Sequence, residues 1–433
     1  MIFRSFFAAL FICLPFIALA QTIAAGRVVD AETGNPLENV SVYFNETQIG
    51  TKTNLGGRFF IETSNSKAKL VISCVGYHKI ILDEIPRQNL KILLKPINNT
   101  LKEVVVSDRN GWQKWGSLFT KLLMSDNSHD YYSKKYGGDV VLNPKVISFY
   151  FDREENILTA SSTEPIWIIN DVLGYLIKVD LDEFVYDIGK ERIKYKSTLF
   201  FEPTKSSLPL DNVQLTTNSV YQGSLTHFFN SLVKHKLNEE GFGLYTYSEV
   251  KNQEKIRVQT LVNKLKYEQL KNKQFAMTIN LESLIKDKDS LRYYRKMLAE
   301  SDYITRKLDT LDIYRLLKKD TLHNLLSLNL KDTIMITYVR HQKSLAMHTD
   351  YINIRRDRKE WIKVETLMVL TDGQPLIISD TGNPLSNNWY VNGFMSSKRL
   401  ASALPADFDP EVPRVKAKHD ALKNHAIFRD ERP

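Results

Sequence analysis

From Glu164 to Phe201 the chain reads EPIWIINDVLGYLIKVDLDEFVYDIGKERIKYKSTLFF, and this stretch limits the possible folds more than any other. Ile166 and Ile168, then Leu176, Ile177, Val179 and Leu181, then Phe184 and Val185 make short β-branched and aromatic runs. Asn170-Asp171 and Gly189-Lys190 interrupt them. Apolar runs of this kind, with turn residues at the breaks, predict three successive antiparallel strands. Such a meander needs apolar cover, so a larger domain is expected to be built around it.

The first residues set the compartment. Met1 to Ala20 carries one early positive charge, Arg4, an apolar run from Ser5 to Leu19, and ends Ala18-Leu19-Ala20 before Gln21. This is the pattern of a cleaved secretory signal peptide, and the run falls short of the roughly 20 apolar residues that a membrane span needs. Lipidation at Cys13 is disfavoured, because Leu10-Phe11-Ile12 puts large residues where that signal wants small ones. Cleavage leaves Cys74 as the one thiol, so no intramolecular disulfide can form in the mature chain, which suits a bacterial envelope protein. The mature chain has no transmembrane segment and is expected in the periplasm, or at the outer membrane through a partner.

At about 100 to 200 residues per domain, the remaining length allows two to four domains. The whole chain has a formal charge of +9, and Lys251 to Asp320 alone holds 17 basic against 10 acidic residues. A nucleic-acid binder would interleave arginines and aromatics on a compact fold. Here the charge lies in a helical-looking segment and reads as a solvated face, so no nucleic-acid partner is expected.

Residues 21–97 repeat a grammar of short alternating strands and turns. Val40, Val42 and Phe44 alternate, as do Phe59 and Ile61, Leu70, Ile72 and Cys74, and Leu90, Ile92 and Leu94. Thr33-Gly34-Asn35-Pro36, Gly50-Thr51 and Asn54-Leu55-Gly56-Gly57 supply turns. This predicts a small antiparallel β-sandwich. Gly56-Gly57 is placed where a hairpin needs positive φ, and Gly76 where a backbone passes close to an aromatic. The run GRVVDAETGNPLENVSVYFNETQIGTKTNLGGRFFIE, with LVISCVGYHKIIL after it, resembles the carboxypeptidase-regulatory-like domain of Gram-negative envelope proteins. That resemblance implies a seven-stranded, antiparallel transthyretin-like sandwich and an envelope setting, and it brings no catalytic residues.

The composition changes over residues 98–111, a linker around the apolar run Leu101 to Val106. Trp112, Trp115, Leu118, Phe119 and Leu122 then recur at helical spacing and open a second domain, residues 112–408. Leu225, Phe228, Phe229 and Leu232 form one stripe on a helix from Gly223 to Val233, with Ser224 and His227 expected to matter little for stability. Lys251 to Leu330 reads as largely helical, with Leu291, Tyr294 and Leu298, then Ile304, Leu308 and Leu311, as apolar faces. Strands follow at Ile334–Val339, Ile362–Leu370 and Leu376–Ile378, the last two joined by a hairpin at Asp372-Gly373. The tail, residues 409–433, has little to bury. The expected fold class is therefore α+β, mostly β: the sandwich, then a larger antiparallel-sheet domain with packed helices. Runs such as VLNPKVISFYF and GNPLSNNWYVNGFMSSKRLASALPADF resemble the second domain of uncharacterised exported proteins that share this start, a likeness that carries no known reaction.

No motif announces catalysis. His235 with Glu239 lacks the second histidine of a zinc helix, and His341 and His348 have no acidic partner between them. Gly223-Ser224 lacks the second glycine of a nucleophile elbow. Asp180, Asp182 and Glu183 read as an exposed strand edge. Nothing calls for a metal or cofactor. Trp167, Trp361, Trp389 and Tyr390 are the candidate ligand-binding residues, as sugar-stacking platforms, against a core-packing role for the same rings. The triplets at Asp289, Asp309, Asp320 and Asp332 fit both O-glycosylation and helix capping. The reading is an exported, non-enzymatic envelope protein that binds a glycan or an envelope protein. The alternative is a hydrolase of envelope glycan or peptide with its site in the second domain.

Overall fold

The computed structural model describes residues 22–63, 69–83, 85, 89–97, 110–124, 140–189, 191–271, 280–321, 325–341, 361–386, 388–414 and 417. The expected signal peptide, residues 98–109 of the expected linker and His348 lie outside the described residues.

The first unit has seven strands: β1 (Thr22–Asp30), β2 (Ser41–Phe44), β3 (Gly50–Lys52), β4 (Arg58–Thr63), β5 (Leu70–Ser73), β6 (Ile80–Leu82) and β7 (Leu90–Leu94). They form two sheets, ordered β4-β1-β7 and β3-β2-β5-β6, which close on Val28, Val42, Phe44, Ile61, Leu70 and Ile72. The period-two pattern holds on β4, where Phe59 and Ile61 are buried and Phe60 between them is exposed. One pair departs from the antiparallel expectation: β1 and β7 run parallel. Gly57 has the expected positive φ, and so does Gly76. A Cβ at Gly76 would meet nothing within 4 Å, so its backbone conformation, not a close approach, is what calls for glycine there.

A second sheet follows helix α1 (Gly111–Met124). Its strands are β8 (Val140–Leu142), β9 (Ile147–Asp152), β10 (Ile157–Ser162), β11 (Ile166–Asn170), β12 (Tyr175–Asp187) and β13 (Arg192–Pro203). The expected meander is β11-β12-β13. Strand β12 takes up both the Leu176 and the Phe184 runs. Its first half pairs with β11 and its second with β10, while β13 follows it along the other edge past a bulge between Leu181 and Glu183. The apolar side of α1 covers this sheet, with the Phe119 ring 4.8 Å from Phe184 and 5.4 Å from Phe149.

The third part begins with α2 (Leu210–Tyr221) and α3 (Leu225–Val233), then β14 (Phe242–Lys251). Helices α4 (Gln253–Lys271), α5 (Leu281–Leu284) and α6 (Lys288–Ala299) follow. The strands after them are β15 (Tyr303–Thr310), β16 (Leu317–Asp320), β17 (Leu325–Leu328), β18 (Ile334–His341), β19 (Trp361–Leu370), β20 (Leu376–Ser379) and β21 (Trp389–Gly393). They make sheets ordered β15-β14-β18-β19-β21 and β16-β17-β20. Phe228, Phe229 and Leu232 of α3 enter the core between them, as their spacing predicts.

Two sequence expectations fail here. The segment from Ile304 lies in strand β15 as far as Thr310, because its backbone completes the free edge of β14 and leaves Ile304 half exposed. Asp372-Gly373 does turn, with Gly373 at φ +70°, but joins no hairpin: β19 pairs with β18 and β21, and β20 crosses to β17.

The sandwich is docked on the second sheet. Its β2–β3 turn lies along β13, where Thr47 bridges Phe200, Glu46 N donates to Leu199 O (2.8 Å) and Phe201 N donates to Thr47 O (3.0 Å). Beside it the Tyr43 hydroxyl donates to Asp180 Oδ2 (3.0 Å), and Lys79 Nζ pairs with Asp182 Oδ1 (2.7 Å). The carboxylates expected on an exposed edge thus hold the joint between the two units. The chain beyond Phe408 is held as far as Arg414, which donates to Leu173 O and Gly174 O.

Candidate functional site

Where the three parts meet there is a cleft of about 340 Å³. The first turn of α3 forms one wall with Ser224, Leu225, Thr226 and Phe229; Trp389 and Met395 extend it. The segment 398–404 brings Arg399, Leu400 and Ser402. Strand β13 brings Tyr195, Leu199 and Phe201, and the sandwich brings Glu46 to the mouth.

The α3 wall follows from a local sequence device. Gly223, at φ +67°, lets α2 turn into α3, and a Cβ there would stand 2.6 Å from the Tyr338 ring. Ser224 is then the N-cap, its Oγ accepting from His227 N at 3.1 Å. The amides of Leu225 and Thr226 at the helix head have no intrahelical acceptor, and the helix dipole makes that end electropositive. Trp389 is half-buried, fixed by its Nε1 donating to Ser386 O (3.0 Å) and by an edge contact to Phe229 at 5.4 Å.

The polar groups divide into committed and open ones. Lys398 Nζ donates to Val220 O and Gln222 O, both at 2.8 Å, and closes the C-terminal end of α2. Arg399 donates to Leu122 O, which ties it to α1, and no carboxylate among the described residues pairs with it. Ser402 is only 6% exposed, and its hydroxyl has no hydrogen-bond partner among the described residues. Burial raises the Tyr195 hydroxyl pKa; the Arg399 charge opposes that rise and Glu46 adds to it. Desolvation by the surrounding wall pushes the Glu46 carboxyl up, while its exposure at the mouth lets water temper the shift.

A second cavity of about 350 Å³ lies on the other side of α3. Against it His227 is buried. Its Nδ1 accepts from Gly223 N (3.0 Å) and its Nε2 lies 3.1 Å from Glu240 Oε2, so Nε2 carries the proton and donates. Rings of Tyr221, Phe242 and Tyr338 surround it. His235 stacks on Tyr314 at 4.4 Å.

The four aromatic candidates are not brought into one platform. Trp389 lines the cleft. Tyr390, its chain neighbour on β21, is exposed, with alternate strand positions facing opposite sides. Trp167 is half-buried on β11 in the other sheet, with Lys178 Nζ 5.6 Å from its ring centre. Trp361 pairs with His341 at the far end of β19, about 30 Å along the strand from the Trp389 pairing at some 3.3 Å per residue. Arg399, Ser402, Tyr195 and Glu46 escaped sequence reasoning, because nothing in their spacing signals that folding brings them together.

Comparison with known proteins bears on the first unit. Residues 24–106 match the CarboxypepD_reg-like domain family. No curated protein matches the chain. Among solved structures, a protein of unknown function from Bacteroides fragilis matches over 86% of this chain and 98% of its own, at 9% identity and a TM-score of 0.15, a superposition too poor to carry a structural argument. Among the described residues, no helix is long and apolar enough to cross a membrane, and no cluster of three or more His, Cys, Asp or Glu could hold a metal ion.

Proposed function

We propose that the protein is an exported, non-enzymatic binding module of the bacterial envelope, and that it holds a glycan in the cleft between α3, β13 and β21. The observation that carries this reading is Trp389. It is the one sequence-selected ring on the cleft wall, held in place by its own hydrogen bond and by Phe229. A fixed indole beside hydroxyl and guanidinium groups suits a sugar, with one apolar face and a polar rim. The volume is in the range of small-ligand pockets, roughly 300 to 1,000 Å³. The CarboxypepD_reg-like domain contributes Glu46 to the mouth and otherwise acts as the brace that fixes β13.

A hydrolase reading rests on the His227–Glu240 pair beside the second cavity. Both ring nitrogens of His227 are engaged by protein groups, one of them by a backbone amide, which suits a structural histidine better than a base facing substrate. Glycan-array screening of the mature chain, followed by calorimetry on the hits, tests the proposal. Trp389→Ala should weaken binding at least about tenfold, the equivalent of 1.4 kcal/mol, whereas Trp167→Ala and Tyr390→Ala should leave it unchanged. A hit whose affinity ignores Trp389 overturns the assignment of the cleft, and turnover abolished by His227→Gln in a folded protein overturns the non-enzymatic reading.

A further inference from the structure

We infer that the cleft selects sugars that carry a carboxylate, and that Arg399, Ser402 and the head of α3 form the subsite for that group; this rests on the reading of the cleft as the glycan site.

Three independent features converge there. Arg399 is a cation on the cleft wall whose described partner is a neutral carbonyl, Leu122 O, so its positive charge has no counter-charge among the described residues. A guanidinium committed through one nitrogen keeps other N–H groups free, and paired N–H donors match the two oxygens of a carboxylate. Ser402 is more than nine-tenths buried, lines the same cleft, and its hydroxyl has no hydrogen-bond partner among the described residues. A hydroxyl on the cleft wall that is not committed to a protein group can donate to, or accept from, a ligand there. The third feature is the head of a nine-residue helix, with Ser224, Leu225 and Thr226 all lining the cleft. Its free amides favour an anion. The Ser224 hydroxyl, which accepts from His227 N, still has its own hydrogen to give.

Glu46 also lines the cleft, so a ligand carboxylate beside it would meet a like charge, and one beside Arg399 an opposite charge.

Titration calorimetry of the full mature chain with galacturonate and glucuronate, against galactose and glucose, tests this. The acids should bind at least about tenfold tighter than their neutral parents, a 1.4 kcal/mol difference, and the advantage should fall as salt is raised. Arg399→Gln should abolish the advantage of the acids over the neutral sugars, read as the ratio of the two affinities within the variant; Arg399→Lys should keep part of that advantage. Because Arg399 also ties down α1, Ser402→Ala and Glu46→Gln provide variants that leave that contact intact. The first should lower the ratio of acid to neutral-sugar affinity and the second should raise it. Equal binding of acids and neutral sugars, or equal loss of both in Arg399→Gln, overturns the carboxylate subsite while the glycan reading stands. Binding of neither class, or acid binding indifferent to Trp389→Ala, overturns the glycan reading of the cleft and this inference with it. Tighter binding of an acetylated dipeptide carboxylate than of the uronates assigns the subsite to peptide and overturns it as well.

Discussion

Phe228 and His227 are neighbours in sequence, and the fold buries both for different reasons. Phe228 is fully enclosed, with its ring 5.5 Å from Phe242. Phe228→Ala should cost about 3 to 5 kcal/mol, the usual penalty of an emptied aromatic site, and denaturant unfolding would show it as a large drop in midpoint. His227→Ala removes the acceptor for a buried amide, Gly223 N, as well as ring contacts. It should therefore cost more than the roughly 0.5 kcal/mol of an ordinary surface change, a loss that a melting curve would detect. Asp30 gives a residue-level pH dependence. Its carboxylate accepts from Thr33 N, Glu32 N and the Tyr77 hydroxyl at 2.7 to 2.8 Å, and the Thr33 bond leads in holding its pKa below 3.8. With the folded value depressed, the unfolded chain binds the proton more readily, so stability rises with pH through this window. The contribution is fully present above the unfolded value and is lost as pH falls through the folded one. Asp30→Asn should flatten the stability curve below about pH 4 and leave its shape at neutral pH unchanged, as chemical denaturation at several pH values would show.

At the scale of elements, strong local signals decided conformation and weaker ones decided nothing about partners. The stripe on α3 gave a helix because its four apolar positions share one face, and the β11-β12-β13 meander followed from β-branched runs with turn residues at the breaks. Asp372-Gly373 also obeyed its local chemistry, yet the strands on either side pair in different sheets, since the free edge of β17 lay open to β20. The β2–β3 turn is the clearest case of an element whose role is invisible locally. It reads as a short polar connection and in the fold extends the edge of β13. Lys79 and Asp182 flank that contact and are both largely shielded from water. A double-mutant cycle with Lys79→Ala and Asp182→Ala should give a coupling energy in the range of about 0.5 to 3 kcal/mol typical of residues in contact, read from unfolding of the full chain. Additive effects would mean that the ion pair does not contribute to the joint.

For the whole molecule, the polar composition of residues 98–111 still marks the place where a protease should cut between the CarboxypepD_reg-like domain and the rest. Because the joint runs through backbone bonds to β13 and the Tyr43–Asp180 and Lys79–Asp182 contacts, the two fragments should co-elute in gel filtration after cleavage. Fragments that separate at once would show that the chain connection, and not the interface, keeps the units together. The amino-acid sequence by itself determined the sandwich with its family likeness, the central meander and the apolar face of α3. Each of these is written in residues close together in the chain, where alternation, spacing and turn chemistry act. Tertiary structure alone decided that Asp180 and Asp182 face the sandwich, that His227 is buried, that Ile304 to Thr310 forms an edge strand, and that Glu46, Tyr195, Trp389, Arg399 and Ser402 share one cleft. Those outcomes depend on which sheet edges and apolar faces find each other across hundreds of residues, and no local pattern carries that information.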